Sequence, residues 1–365
     1  MQLSELVSVL EEIAPSRFAE QWDNVGLLCG DLKQSVSRVM LCIDYTKQVA
    51  EEARSQKCEA VIAYHPPIFD GLKQITADGP AALVFDAVSN GIALYSPHTA
   101  LDVADGGTND LLADILGLTS RRPLRIAPTI SDTCKLVVFI PQPQLQQVSD
   151  ALFAAGAGHI GNYCSCSFRA VGTGTFFGGA GSDPQVGKPG RLETVEEVRL
   201  ETIVPKQKIE PVIAALRKSH PYEQPAFDIY PLESTATPIG LGRIGPLPSP
   251  TPLSKLIHQI KIGLEIISLL VTGEDRTITT AAMCAGAGGS LLPYVLAQKA
   301  DLYLTGELRH HDALKAAAAG MTVICTLHSN SERAILKRLK SRLEQRLASV
   351  QCLVSQTDRD PFQIR

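Results

Sequence analysis

The sequence predicts an α/β protein of two related halves separated by a ferredoxin-like α+β module, and three observations carry that reading. Residues 1 to about 125 alternate helical and strand patterns, the signature of a parallel-type α/β sheet. From about residue 134 the order becomes strand, helix, strand, helix, on the scale of a split βαβ module. Beyond a proline-rich stretch the α/β character returns, with a glycine, apolar strand and histidine spaced much as in the first segment.

Taken in order, the first segment opens with an amphipathic helix from Ser4 to about Ile13, followed by apolar strands near Val39–Ile43, Ala60–Tyr64 and Ile92–Tyr95. The middle module has a strand at Leu136–Ile140, a helix near Gln144–Ala155, a long strand at Val195–Val204 and a helix near Ile209–Lys218. Gly172–Gly190, with Asp183-Pro184 and Lys188-Pro189, reads as a long loop or hairpin tip. Pro238–Pro252 holds five prolines and three glycines, a linker composition. After it come a helix over Leu256–Ile266 and strands near Val271, Ile278–Cys284, Leu302–Leu304 and Val323–Leu327. Gly91 to His98, with Asp102 four residues on, is matched by Gly320 to His328, with Glu332 four residues on, which reads as a degenerate duplication interrupted by the module.

Composition narrows the function classes. At 365 residues, 45% hydrophobic and 20% charged, the chain has ample material for buried cores. A formal charge of -4 provides no global positive field for nucleic acid. No apolar run reaches the roughly 18 residues of a membrane span, and Met1–Glu5 lacks a signal peptide's basic start, so a cytoplasmic protein is expected. Nine scattered cysteines fit a reduced compartment, and Cys164-x-Cys166 reads as alternate residues on one strand face.

Ligands of open α/β sheets sit beyond the carboxyl ends of the strands, where side chains from several loops converge. Four strands here end in reactive residues: Tyr64-His65-Pro66-Pro67, Pro97-His98-Thr99, Thr305-Gly306-Glu307 with His310-His311 following, and Thr326-Leu327-His328-Ser329. Five of the eight histidines fall in these stretches. Imidazole and carboxylate without thiolate suit zinc, iron, manganese or nickel. Each residue also has a structural reading: Ser329-Asn330-Ser331-Glu332 matches a capping box, and the basic helix beyond it reads as a solvated surface helix. Ala285–Ser290 is a glycine-rich strand-to-helix turn suited either to phosphate or to close packing, and Trp22 reads as a structural anchor.

Trp22-Asp-Asn-Val-Gly-Leu27, Tyr64-His-Pro-Pro-Ile-Phe69, Ser96-Pro-His-Thr-Ala-Leu-Asp102, Thr305-Gly-Glu307 with His310-His-Asp312, and His328-Ser-Asn-Ser-Glu-Arg333 together resemble the Nif-three-like dinuclear-metal family, the GTP cyclohydrolase type 2 homologues. The middle segment, with His220-Pro-Tyr-Glu223, looks like the inserted PII/CutA-like domain of its long bacterial members. The resemblance implies two three-layer α/β lobes, 1–130 and 237–365, around a metal cleft, an insert at 131–236, and a toroidal homohexamer. It further implies two divalent ions per chain, with His65 and Asp102 holding one, His328 the other and Glu332 bridging both. His98, Glu307 and His310 would then either lie just behind the ligands or act on a small phosphorylated or nucleotide-like substrate in a hydrolysis, the alternative being a non-catalytic metal-delivery or regulatory protein. One departure is Tyr64, which stands where many members carry a metal-binding histidine, and it implies a weakened second site.

Overall fold

The computed structural model describes residues 1–126, 130–179, 181–182, 185–233 and 239–363. It divides into two compact units, Met1–Ala127 with Pro238–Arg365, and Pro128–Thr237.

In the first unit Arg38–Cys42, Ala60–Ala63 and Ala93–Ser96 run parallel, Gly26–Cys29 flanks them antiparallel, and Gln351–Val354 from the far end of the chain pairs parallel with Arg38–Cys42. Alternate residues serve opposite faces, as strand geometry requires. Val39, Leu41, Ile62 and Tyr64 pack with Leu3, Leu6 and Leu10 of helix Leu3–Ile13 and with Leu339 and Leu343 of helix Ile335–Arg346. Met40, Cys42, Val61 and Leu94 pack instead with Val49 and Ala53 of helix Lys47–Ser55. The basic helix after Ser329 is the expected surface helix: Ile335, Leu336, Leu339 and Leu343 are buried, and its charges form the outer face.

The second sheet of this unit repeats the arrangement. Thr277–Ala287, Leu302–Glu307 and Thr322–Cys325 run parallel between antiparallel edges, Arg243–Pro252 and Leu270–Val271. The proline-rich stretch is thus largely an edge strand rather than a linker. Prolines have no N–H to give, so the ladder is interrupted between Pro246 and Thr251, and an edge tolerates that loss. Where the strand begins, buried Arg243 donates to Asp110 Oδ1 at 2.6 Å and to the carbonyls of Gly240 and Val103 at 2.8 and 3.1 Å.

The unit Pro128–Thr237 is a four-stranded antiparallel sheet with two helices, in the order Ile130–Pro141, Leu145–Ala154, Ser167–Phe177, Leu192–Pro205, Ile209–Ser219 and Phe227–Glu233. That is β-α-β-β-α-β connectivity around a core that includes Leu136, Val138, Leu152, Leu200 and Leu216. The expected loop from Gly172 is strand as far as Phe177, while Asp183-Pro184 lies outside the described residues. Cys164 and Cys166 precede that strand in an irregular segment instead of alternating along it. His220 is buried, accepting from the Tyr222 N–H at 3.1 Å and bonding Phe139 O at 3.0 Å, so His220-Pro-Tyr-Glu223 forms a structural turn.

Candidate metal centre

Parallel strands deliver their C-terminal residues to one edge, and the two sheets bring several such edges together. Backbone pairing continues past Ala63: Tyr64 N–H bonds Cys42 O and His65 N–H bonds Ile43 O, which sets the His65 ring just beyond the strand. His328 follows Thr322–Cys325, and Glu332 follows the short turn Ser329–Ser331. One donor atom each from His65, His328 and Glu332 falls within 4.8 Å of the others. Glu332, only 2% exposed, directs Oε2 to His65 Nε2 at 3.2 Å and Oε1 to His328 Nε2 at 3.5 Å. Its side chain serves the two imidazoles and not the Ser329 amide, so the capping-box reading does not hold.

Each imidazole is aimed by a carboxylate on its far nitrogen. Asp44 Oδ1 meets His65 Nδ1 at 2.9 Å, Glu307 Oε1 meets His328 Nδ1 at 3.0 Å, and Asp23 Oδ1 meets His98 Nδ1 at 2.7 Å. A carboxylate on Nδ1 fixes the ring and leaves Nε2 as the ligand nitrogen, the usual support of metal-binding histidines. The His98 ring stands 5.3 Å from that of His65, and the His328 ring 5.4 Å, centroid to centroid. Asp44 and Asp23 escaped sequence reading, although Asp44 sits just past a parallel strand where the rule for open sheets directs attention.

Electrostatics agree with a cation site. Burial opposes a charge on His65, yet the Asp44 and Glu332 carboxylates outweigh it and raise the imidazole to about 10, as a site that favours positive charge does. The bond from His65 holds Asp44 below the ordinary carboxylate range. Buried His65 Nε2 and Glu332 Oε2 complete no hydrogen bond, although buried polar atoms rarely lack one. Two buried ligand atoms that complete no hydrogen bond, with the His328 imidazole beside them, fit a divalent cation. Gly286 completes the cradle: a Cβ there would lie 2.7 Å from Glu332 Oε1 and 3.2 Å from His328 Nε2, and its φ of +62° also favours glycine. The glycine-rich turn is therefore close packing against the cluster.

The remaining residues are placed differently. Asp102, 7% exposed, accepts a short hydrogen bond from Tyr64 Oη, which also lies 3.1 Å from Thr108 Oγ1. Burial pushes Asp102 up to about 6 and lifts the Tyr64 phenol well above its ordinary value. Asp102 is outside the group of three, its carboxylate engaged by the phenol. Glu307 is 55% exposed and orients His328. His310 begins helix His310–Ala318, and its ring contact is with His311, at 5.4 Å. Trp22 is no anchor: it is 59% exposed.

Two α/β sheets whose strand ends meet around histidines and an acid define an α/β protein with a candidate cation site at their seam. Comparison then places it. The chain belongs to the Duf34/NIF3 (NGG1p interacting factor 3) family, whose model matches residues 1–361. It is 38% identical over 364 residues to a Bacillus subtilis protein named GTP cyclohydrolase 1 type 2 homolog, covering 98% of this chain and 97% of that one. A Mycobacterium tuberculosis protein of the same name is 36% identical over 337 residues, 91% of this chain and 88% of the relative. Among solved structures, a Bacillus cereus protein related to NIF3 matches at 35% identity and a TM-score of 0.72, covering 100% of this chain and 99% of that one. A Staphylococcus aureus protein matches at 28% identity and a TM-score of 0.82, with the same coverage.

Proposed function

We propose that the protein is a metal-dependent hydrolase of a small phosphorylated or nucleotide-like substrate. The observation that carries this is the convergence of His65, His328 and Glu332 within 4.8 Å. A divalent cation bound there, whether zinc, iron, manganese or nickel, supplies Lewis acidity toward a phosphoryl or carbonyl oxygen. The chain's own part is positioning. Asp44, Glu307 and Asp23 hold the rings of His65, His328 and His98, and exposed Glu307 is placed to move a proton between His328 and solvent. The relatives' name supports a nucleotide-like substrate.

Two ions per chain belong to the same reading, one to be held by His65 and Asp102, the second by His328, with Glu332 shared. The second position is the weaker, because Tyr64 stands where many members carry one of its histidine ligands, and its phenol is engaged instead by Asp102. Titration by calorimetry is expected to show one tight and one weak ion, and Tyr64→His to tighten the second. Two ions of equal affinity in the unaltered chain would contradict the asymmetry. Loss of metal in His65→Ala and Glu332→Gln, together with Glu307→Gln retaining metal but losing turnover on a phosphatase, phosphodiesterase and nucleotide-hydrolase panel, checks the enzyme. Silence of the loaded protein across that panel would favour metal delivery or regulation.

The reading also includes a toroidal homohexamer with PII/CutA-like inserts, supported by family membership and by the β-α-β-β-α-β connectivity of the insert. Sedimentation at six times the chain mass is the expected result. No helix among the described residues is long and apolar enough to cross a membrane. The nine free cysteines suit the reducing cytoplasm, where we place the activity.

A further inference from the structure

Trp22 is the chain's single tryptophan, and the fold leaves it in water beside the metal-binding residues. Its ring lies 5.9 Å, edge-on, from the His98 ring and 6.0 Å from the ring of Phe69, itself 52% exposed. Both rings are held there. The neighbouring Asp23 side chain is fully buried and bonded to His98 and to the Thr99 N–H, which pins the turn carrying the indole. Asn24 Nδ2 donates to Ile68 O at 2.6 Å, tying that turn to the segment that presents Phe69. Two large aromatic faces are thus fixed in solvent at the edge of a cation site, and neither is used by the core.

Exposed, pre-positioned aromatic rings bind flat π-systems with little ordering cost, and stacking accepts any planar base. Next to them the imidazoles and a bound cation attract an anion. One molecule that satisfies both halves has a planar ring at one end and a phosphate at the other, joined by a sugar. Resting on the cation reading above, we propose that Trp22 and Phe69 seat the base of a nucleoside phosphate whose phosphate points to His65, His328 and Glu332. A sugar phosphate without a base would leave both rings in water, so the pair selects nucleotides from among small phosphates.

With one tryptophan per chain, indole fluorescence reports on this position alone. The full chain, loaded with zinc, is titrated with adenosine monophosphate, guanosine monophosphate and ribose phosphate, following emission and heat. The nucleotides are expected to change the emission and to bind about tenfold more tightly than ribose phosphate. Trp22→Leu and Phe69→Ala should each erase most of that preference with zinc content unchanged, and Trp22→Tyr should retain part of it. Equal binding of ribose phosphate and nucleotides, or a preference that survives in both variants, overturns the proposal. So does an indole already shielded from acrylamide in the ligand-free protein, since a second copy of the chain would then cover it. Failure of the unaltered chain to bind zinc is seen before any nucleotide is added, and it sinks the cation reading and this inference with it.

Discussion

His65 shows how one side chain couples folding to binding. Its folded value of about 10 lies above the ordinary 6.5, so between those values the folded state holds a proton that the unfolded chain has released. In metal-free protein its contribution to stability is therefore complete below about pH 6.5 and is lost as the pH rises through about 10. Urea midpoints measured across that window should fall, and His65→Gln should flatten the decline. A cation must displace the same proton. Calorimetry in two buffers of different ionisation heat, at about pH 8, should accordingly read close to one proton released per tight ion.

Among the elements, the proline-rich edge strand has the greatest consequence for stability. Arg243 enters the protein interior at its first residue, where Asp110 and backbone carbonyls take its donors. Removing the guanidinium leaves Asp110, 2% exposed, as a buried acid paired only through the more exposed Arg121, at 3.1 Å, among the described residues, and leaves the Gly240 and Val103 carbonyls without that donor. Arg243→Ala should cost about 3–5 kcal/mol in chemical denaturation, whereas Arg276→Ala, at a half-exposed pair with Asp301, should cost under about 1 kcal/mol. The composition of this stretch read as a linker because proline and glycine counts do not reveal edge position. Its pairing with Thr277–Ala287, distant in the chain, makes it a strand. The Ile335–Arg346 helix is legible by contrast: the row Ile335, Leu339, Leu343 marks its buried face and the basic residues its outer one, and only the sheet it packs on is missing from the local pattern.

For the whole molecule, the insert enters and leaves at one place. Arg125–Ile126 pairs antiparallel with Gly240–Leu241, Ile126 opposite Gly240, so the chain departs and returns on neighbouring strands. A tight turn joins such strands. Excision of residues 128–237 with a short glycine-containing connection should leave a unit that melts cooperatively and retains its tight ion, as read by circular dichroism and metal analysis. Loss of cooperative melting would show that the outer segments depend on the insert to fold. The C-terminal strand Gln351–Val354, paired with Arg38–Cys42, gives the opposite expectation for truncation: deleting residues 347–365 strips a strand from the first sheet and should abolish folding.

The sequence by itself determined the alternation of helices and strands, two strand–helix pairs of the insert, and the strand ends at which His65, His98, Glu307 and His328 stand, because periodicity and apolar runs are local properties of the chain. Tertiary structure alone decided which of those ends meet. Asp23, Asp44 and Gly286 carry no local mark of their roles, which come from contacts with residues between 21 and 75 positions away. Tyr64 gained its hydrogen bond to Asp102, and Trp22 its exposure, only when the strands were stacked, since geometry between distant segments is set by packing and not by neighbours in the sequence.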